Sequence, residues 1–161
     1  MSRAFVKEDD GSRPEALPEI PVSSAPNLVT PRGLRLIAAR IAEIEAALAG
    51  QDDETATARL RRDLRYWQLR HATARLTAPD PTDPAVQFGS RVTYRSEDGE
   101  SRTVTLTGED EADPPAGRIA WVSPVARALT GSAAGSSVTL QLRGRPVELE
   151  IIAVEVPTDE E

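Results

Sequence analysis

The sequence predicts an α+β protein in which an N-terminal antiparallel helical hairpin, a short coiled coil, precedes an antiparallel β domain with one short helix. Between residues 30 and 77, apolar residues recur at alternating spacings of three and four, the pattern of an amphipathic helical seam. After residue 85 the pattern changes to short alternating runs, which are typical of strands with one buried face. Helices followed by strands in this order favour segregated layers, and hence the α+β class.

The first helix of the hairpin has a start signal with a physical mechanism. In "NLVTPRGL", Thr30 can accept an orphan amide hydrogen bond as the N-cap, and Pro31 loses no needed donor at the first helical position. Gly50 is placed to end this helix, and a second helix is expected from about Glu54 to Leu76. The apolar stripes are Leu34, Ile37, Ile41, Ile44 and Leu48 in the first helix, and Leu60, Leu64, Trp67, His71 and Ala74 in the second. Two such helices joined by a short loop pack antiparallel, with "GQDDE" at the far tip.

The second half of the chain contains five short β-rich runs. They are "VQFGSRVTYRS", "ESRTVTLTG", "GRIAWVS", "SSVTLQLRG" and "PVELEIIAVEV". Between the third and fourth lies "SPVARALTG", in which Ser123 can cap a short helix that begins at Pro124 and stops at Gly131. The predicted organisation is a flexible, acidic, proline-rich arm over 1–29, the hairpin over 30–77, a linker over 78–85, the β domain over 86–156 and an acidic tail over 157–161.

Composition excludes several classes of function. The chain has no cysteine and one histidine, so it can form neither a disulfide framework nor a multi-histidine metal site. His71, the single histidine, is therefore expected to be a partly buried packing residue. Residues 77–161 hold seven basic and fifteen acidic groups, a net charge of −8, which argues against direct binding of nucleic acid and favours a protein partner. No apolar run of membrane-spanning length and no signal peptide is evident, so the cytoplasm is the expected compartment.

Several sequence blocks occur together in one order. They are "TPRG", "FGSRVTY", "GEDEADPPAGRIAWVSPVARALTG", "AAGSSVTL" and "VELEIIAVEV". In this arrangement the chain resembles the Gre family of bacterial transcription elongation factors. The resemblance covers about residues 27–156 and is densest over 86–135.

The resemblance implies a fold, a partner and a binding surface. It implies an FKBP-like C-terminal domain that docks on the rim of the RNA polymerase secondary channel, while the hairpin inserts towards the catalytic magnesium. The RNA polymerase-binding positions it implies are Val122, Ser123, Pro124 and Arg127. Family members often carry a polar or acidic residue where this chain has Val122. Capping and packing of the short helix is the alternative reading of this block.

Two groups of acidic residues are candidates for metal chemistry. Asp52, Asp53 and Glu54 lie at the hairpin tip, where cleavage-stimulating Gre factors resemble one another in an Asp and a Glu three residues apart followed by Asn-Ala and an aromatic. This chain lacks that run. Its hairpin looks about twenty residues shorter than that of the family's long-hairpin members, or about ten residues per helix, which reduces its reach by roughly 15 Å. The second group is "GEDEAD", residues 108–113, which lacks calcium-loop spacing and is expected to be a solvated turn between strands.

The expected function is therefore a monomeric Gre-like factor that regulates elongation at the secondary channel, without being an enzyme and with no cofactor or metal of its own. It would contact nucleic acid only through the polymerase complex, and no membrane. A true transcript-cleavage factor, in which the tip acids help to hold a second magnesium, is the main alternative. A prolyl isomerase, by fold analogy, and a scaffold protein unrelated to polymerase are further alternatives.

Overall fold

The computed structural model describes residues 16–158 and contains the predicted hairpin. The helices are α1 (Pro31–Ala49) and α2 (Glu54–Thr73), and they pack against each other. Thr30 caps α1, since its Oγ1 accepts a hydrogen bond from Gly33 N at 2.9 Å. α2 ends three residues earlier than expected. The chain there enters a two-residue strand, β2 (Arg75–Leu76), which pairs in parallel with β1 (Leu28–Val29).

Five strands form the sheet of the second half. They are β3 (Arg91–Ser96), β4 (Ser101–Thr107), β5 (Arg118–Ala120), β6 (Ser137–Leu142) and β7 (Arg145–Glu155), in the order β5-β4-β3-β7-β6. The predicted α+β class is confirmed, with one difference in topology. β5 pairs in parallel with β4, whereas the other pairs are antiparallel. The sheet is therefore mostly, but not wholly, antiparallel.

One short helix, α3 (Pro124–Leu129), covers the inner face of the sheet. Ala126 and Leu129 of this helix are fully buried, and α3 packs against β6. The core that they join consists of Val86, Val92, Tyr94, Val104, Leu106, Leu140, Leu149 and Ile151. The register of β3 against β7 shifts between Thr93 and Tyr94, a bulge that bends the long strand β7 around this core.

The hairpin has a narrower buried stripe than the sequence predicts. Ile37 is fully buried, whereas the other four residues of the predicted α1 stripe are half-buried, because two helices alone cannot enclose a seam. The expectation that His71 is partly buried is wrong: His71 is exposed, and its neighbour Arg70 is 2% exposed instead. The last turn of α2 presents Arg70 to the second half of the chain. Within residues 16–158, no helix is long and apolar enough to cross a membrane.

Candidate functional site

The three acids of the hairpin tip do not share one role. Asp53 is the N-cap of α2, since its Oδ1 accepts a hydrogen bond from Ala56 N at 2.6 Å, and its own N–H donates to Gln51 Oε1 at 2.9 Å. Asp52 and Glu54 are exposed. Among residues 16–158, no group of three or more histidine, cysteine, aspartate or glutamate side chains is placed to hold a metal ion. One of the candidate carboxylates thus has a structural role in starting the second helix.

The block that contains Val122, Ser123, Pro124 and Arg127 lies at the start of α3. Ser123 Oγ accepts a hydrogen bond from Ala126 N at 3.3 Å, so the predicted cap is present. Pro124 and Arg127 are exposed, whereas Val122 is half-buried. The block therefore combines an inward face that packs α3 on the sheet with an outward face available to a partner.

The main connection between hairpin and sheet is made by residues 108–113, named here the acidic turn. Arg70 reaches from α2 into this turn, where its Nε lies 2.5 Å from Asp110 Oδ2. Both side chains are buried, with 3% and 8% of their surface exposed. The Tyr66 hydroxyl donates to the other oxygen of Asp110, also at 2.5 Å. Burial, together with this bond to a carboxylate, raises the pKa of Tyr66 to about 12.

A second acid of the turn contacts the start of α1. Glu111, whose side chain is 3% exposed, accepts a hydrogen bond from Thr30 Oγ1 at 2.5 Å and from Arg32 Nη1 at 3.2 Å. Thr30 therefore serves two partners, because the same oxygen that caps α1 also donates its proton to Glu111. Charge-assisted bonds of this kind are stronger than neutral ones. We call this set of contacts between the acidic turn and the two helices the joint.

Two glycines allow the joint to close. A Cβ on Gly33 would lie 2.8 Å from Glu111 Oε2, and a Cβ on Gly108 would lie 2.6 Å from the carbonyl oxygen of Leu28. At Gly108 the close atom belongs to the backbone, so a larger residue would push the acidic turn away from Leu28; at Gly33 the Glu111 carboxylate would have to move. The glycines of "TPRG" and "GEDEAD" are therefore explained by the close approach of two segments that are distant in sequence.

The prediction that residues 108–113 form a solvated turn is wrong. Asp110 and Glu111 are buried, because Arg70 and Arg32 of the hairpin supply the opposite charges that such burial requires. A signal for this pairing is present in the sequence. Arg70 follows Trp67 by three residues and so lies beside the apolar stripe, where an arginine with no acid three or four residues away on its own helix needs a distant partner.

The described part of the N-terminal arm lies along α2. Glu19 forms an ion pair with Arg65 at 2.5 Å, and Asn27 Nδ2 donates to Arg70 O at 2.7 Å and to Thr73 Oγ1 at 3.1 Å. Residues 28 and 29 then form β1. The remainder of the predicted arm, residues 1–15, and residues 159–161 of the predicted tail lie outside the described residues.

The protein thus belongs to a class in which a sheet domain holds a helical hairpin in a fixed position through buried contacts. Residues 81–156 match the family model described as "Transcription elongation factor, GreA/GreB, C-term". The predicted resemblance to the Gre family is therefore confirmed over these residues.

Curated relatives support the same assignment. The chain is 35% identical over 95 residues to transcription elongation factor GreB of Neisseria meningitidis serogroup B, a match covering 55% of this chain and 58% of the relative. It is 39% identical over 89 residues to transcription elongation factor GreA of Legionella pneumophila strain Corby, covering 55% and 56%. The matched region thus spans little more than half the length of these relatives.

The chain is also similar to two solved structures. Gfh1, the GreA factor homolog 1 of Thermus thermophilus, is 18% identical with a TM-score of 0.39, and the match covers 81% of this chain and 99% of that one. The GreA/GreB elongation factor of Nitrosomonas europaea is 22% identical with a TM-score of 0.39, covering 81% and 98%.

Proposed function

We propose that this protein binds bacterial RNA polymerase at the rim of the secondary channel through its C-terminal domain and regulates transcription elongation. The observation that carries the proposal is the joint, through which a GreA/GreB C-terminal domain holds a helical hairpin by buried ion pairs. A domain that docks on a partner can direct an attached arm only if the connection is stiff. The buried contacts of Asp110 and Glu111 provide that stiffness.

The hairpin extends into the entrance of the secondary channel. α1 contains 19 residues, and at ~1.5 Å per residue it spans roughly 28 Å. A carboxylate must come within ~2.5 Å of a magnesium ion to coordinate it, so small differences in reach decide between binding and no contact. The protein on this account regulates the polymerase without catalysis, cofactor or metal of its own.

The outward face of α3 is the docking surface. Pro124 and Arg127 are exposed there, and the half-buried Val122 adds an apolar contact. Ser123 acts indirectly, because its hydroxyl holds the first turn of the helix. The protein binds as a monomer in the cytoplasm, where its partner resides, and meets nucleic acid only through the polymerase complex.

A second candidate function is stimulation of the transcript cleavage that the polymerase itself performs. The exposure of Asp52 and Glu54 at the end of the hairpin favours it, since both carboxylates are free to approach a metal held by a partner. This function requires deeper insertion of the hairpin than the first.

A cleavage assay on stalled, backtracked elongation complexes separates the two functions. Wild-type protein is expected to bind core polymerase in a pull-down and to leave the rate of 3′ RNA release unchanged. Rapid release that is lost in the variant D52N/D53S/E54Q would establish the cleavage function instead. Serine at position 53 keeps the N-cap of α2 while removing the carboxylate, so the helix start is preserved. Failure of the pull-down would reject both functions.

A further inference from the structure

The outer end of the β6–β7 hairpin projects beyond the rest of the sheet. Ser96, the last residue of β3, pairs with Leu149 of β7, so residues 145–148 have β6 as their only strand neighbour. Residues 141–146 are all exposed. We call these six residues the finger. Exposed side chains at the end of a two-stranded ribbon contribute little to stability, so they are free to serve another purpose.

The turn of the finger has an unfavourable residue for its backbone. Arg143 and Gly144 have φ values of 48° and 80° and connect Leu142 to its partner Arg145. Turns with two consecutive residues at positive φ strongly prefer Asn, Asp or Gly at the first position. Among residues 16–158, Arg143 is the one non-glycine residue with positive φ. An arginine here costs conformational free energy that an asparagine would not.

The finger also carries unpaired positive charge in an acidic region. Arg95, Arg102 and Arg118 of the sheet each have a carboxylate partner. By contrast, neither Arg143 nor Arg145 has an ion-pair partner within the described part of the chain. Residues 77–161 have seven basic and fifteen acidic groups, so a free cationic tip is contrary to the charge of its own domain.

An apolar side chain accompanies the two arginines. Leu142 is 45% exposed and directly precedes the turn. Arginine beside an exposed apolar residue is a composition enriched at protein interfaces. A nucleic acid is the less favoured partner, because the fifteen acids of this region would repel phosphates around so small a basic site. β6 is also the strand against which α3 packs, so the finger continues from a strand that contacts this helix.

We propose that the finger is a second contact with the protein partner, in which Arg143 and Arg145 bind an acidic surface and Leu142 packs beside them. The inference rests on the proposed function, since that partner is RNA polymerase. It adds a site separate from the start of α3. It also explains why Arg143 occupies a turn position that favours asparagine or glycine. The arginine lowers the stability of the fold there but contributes to binding.

The test compares two variants that lose the same charge. Finger variant R143N/R145Q and control variant R95Q/R102Q each remove two arginines from the sheet region, but the control arginines are already ion-paired. With core polymerase in about 0.1 M salt, we expect the finger variant to raise Kd about tenfold, equivalent to ~1.4 kcal/mol, and the control variant to raise it less than about twofold. The single variant R143N should raise Tm, because asparagine tolerates positive φ.

Four other outcomes would overturn the inference. A finger variant that binds polymerase as tightly as wild type rejects the finger contact and leaves the proposed function intact. Equal weakening by the finger and control variants would show that net charge alone is responsible. Wild-type binding to a single-stranded RNA oligomer that the finger variant loses would assign the site to nucleic acid. Failure of wild-type protein to bind polymerase would reject the proposed function and, with it, this contact.

Discussion

Removal of the Asp110 carboxylate should make the hairpin unfold at a lower urea concentration than the sheet. In D110A, Arg70 would remain buried at 3% side-chain exposure without its main counter-ion. Breaking a buried pair by removing one partner costs about 3–5 kcal/mol, and the Tyr66 hydroxyl would lose its acceptor as well. Glu109 Oε2 lies 3.8 Å from Arg70 Nη2 and can move closer. We therefore expect the free energy of unfolding of the hairpin to fall by about 3 kcal/mol.

Urea unfolding with single-tryptophan probes measures this loss in each part of the molecule. Trp67 lies in α2 and Trp121 follows β5, so W121F and W67F backgrounds report on the hairpin and the sheet separately. The two probes should give one midpoint in the parent protein. In D110A the Trp67 midpoint should fall well below the Trp121 midpoint.

A matched control guards against a general effect of losing an acid. Asp113 pairs with Arg118 at 2.9 Å, but its side chain is 48% exposed, so D113A should cost less than about 1 kcal/mol. The double variant R70M/D110A should recover part of the loss, because it no longer buries an unpaired charge. A change below about 0.5 kcal/mol in D110A, at both probes, would refute the idea that this ion pair holds the hairpin.

Three further predictions follow from single contacts. G108A should destabilise the protein by about 1–3 kcal/mol in thermal unfolding, since the added Cβ would lie 2.6 Å from the backbone carbonyl oxygen of Leu28, whereas G50A, with nothing within 4 Å, should be tolerated. The pKa of Tyr66 is raised from 10.0 to about 12, so its contribution to stability is complete below pH 10 and declines between pH 10 and about 12. Y66F should flatten Tm against pH in that window, and an unchanged slope would contradict the assignment. R127E should weaken binding to core polymerase about tenfold while leaving Tm unchanged, because Arg127 is exposed; equal affinity would remove it from the docking surface.

The sequence predicted the elements whose causes are local. The start of α1 depends on Thr30 and Pro31, and the start of α3 depends on Ser123 and Pro124, so each cap could be read within a few residues. The five strands were likewise found from their alternation. The parallel pairing of β5 with β4 was missed, because pairing direction depends on the path of residues 108–117 and not on the composition of either strand.

The partners in the joint could not be predicted from local pattern, because the position of Arg70 indicates that a distant acid is needed but not which one. Its two main contacts join residues 40 and 81 positions apart, and no single window of sequence contains both partners. Viewed alone, the acidic turn has the composition of a solvated loop. The burial of Arg70 in place of His71 has the same origin, because a contact outside the hairpin decided which side of α2 faces inward.

The most direct test of the central claim is a competition experiment on core RNA polymerase. Fluorescently labelled protein should bind saturably, and an excess of a GreA protein should displace it, since both would occupy the same rim of the secondary channel. D110A should bind through its C-terminal domain with little change in Kd, because the joint lies outside the proposed docking surface at α3. An absence of saturable binding, or binding that GreA does not displace, would contradict the account.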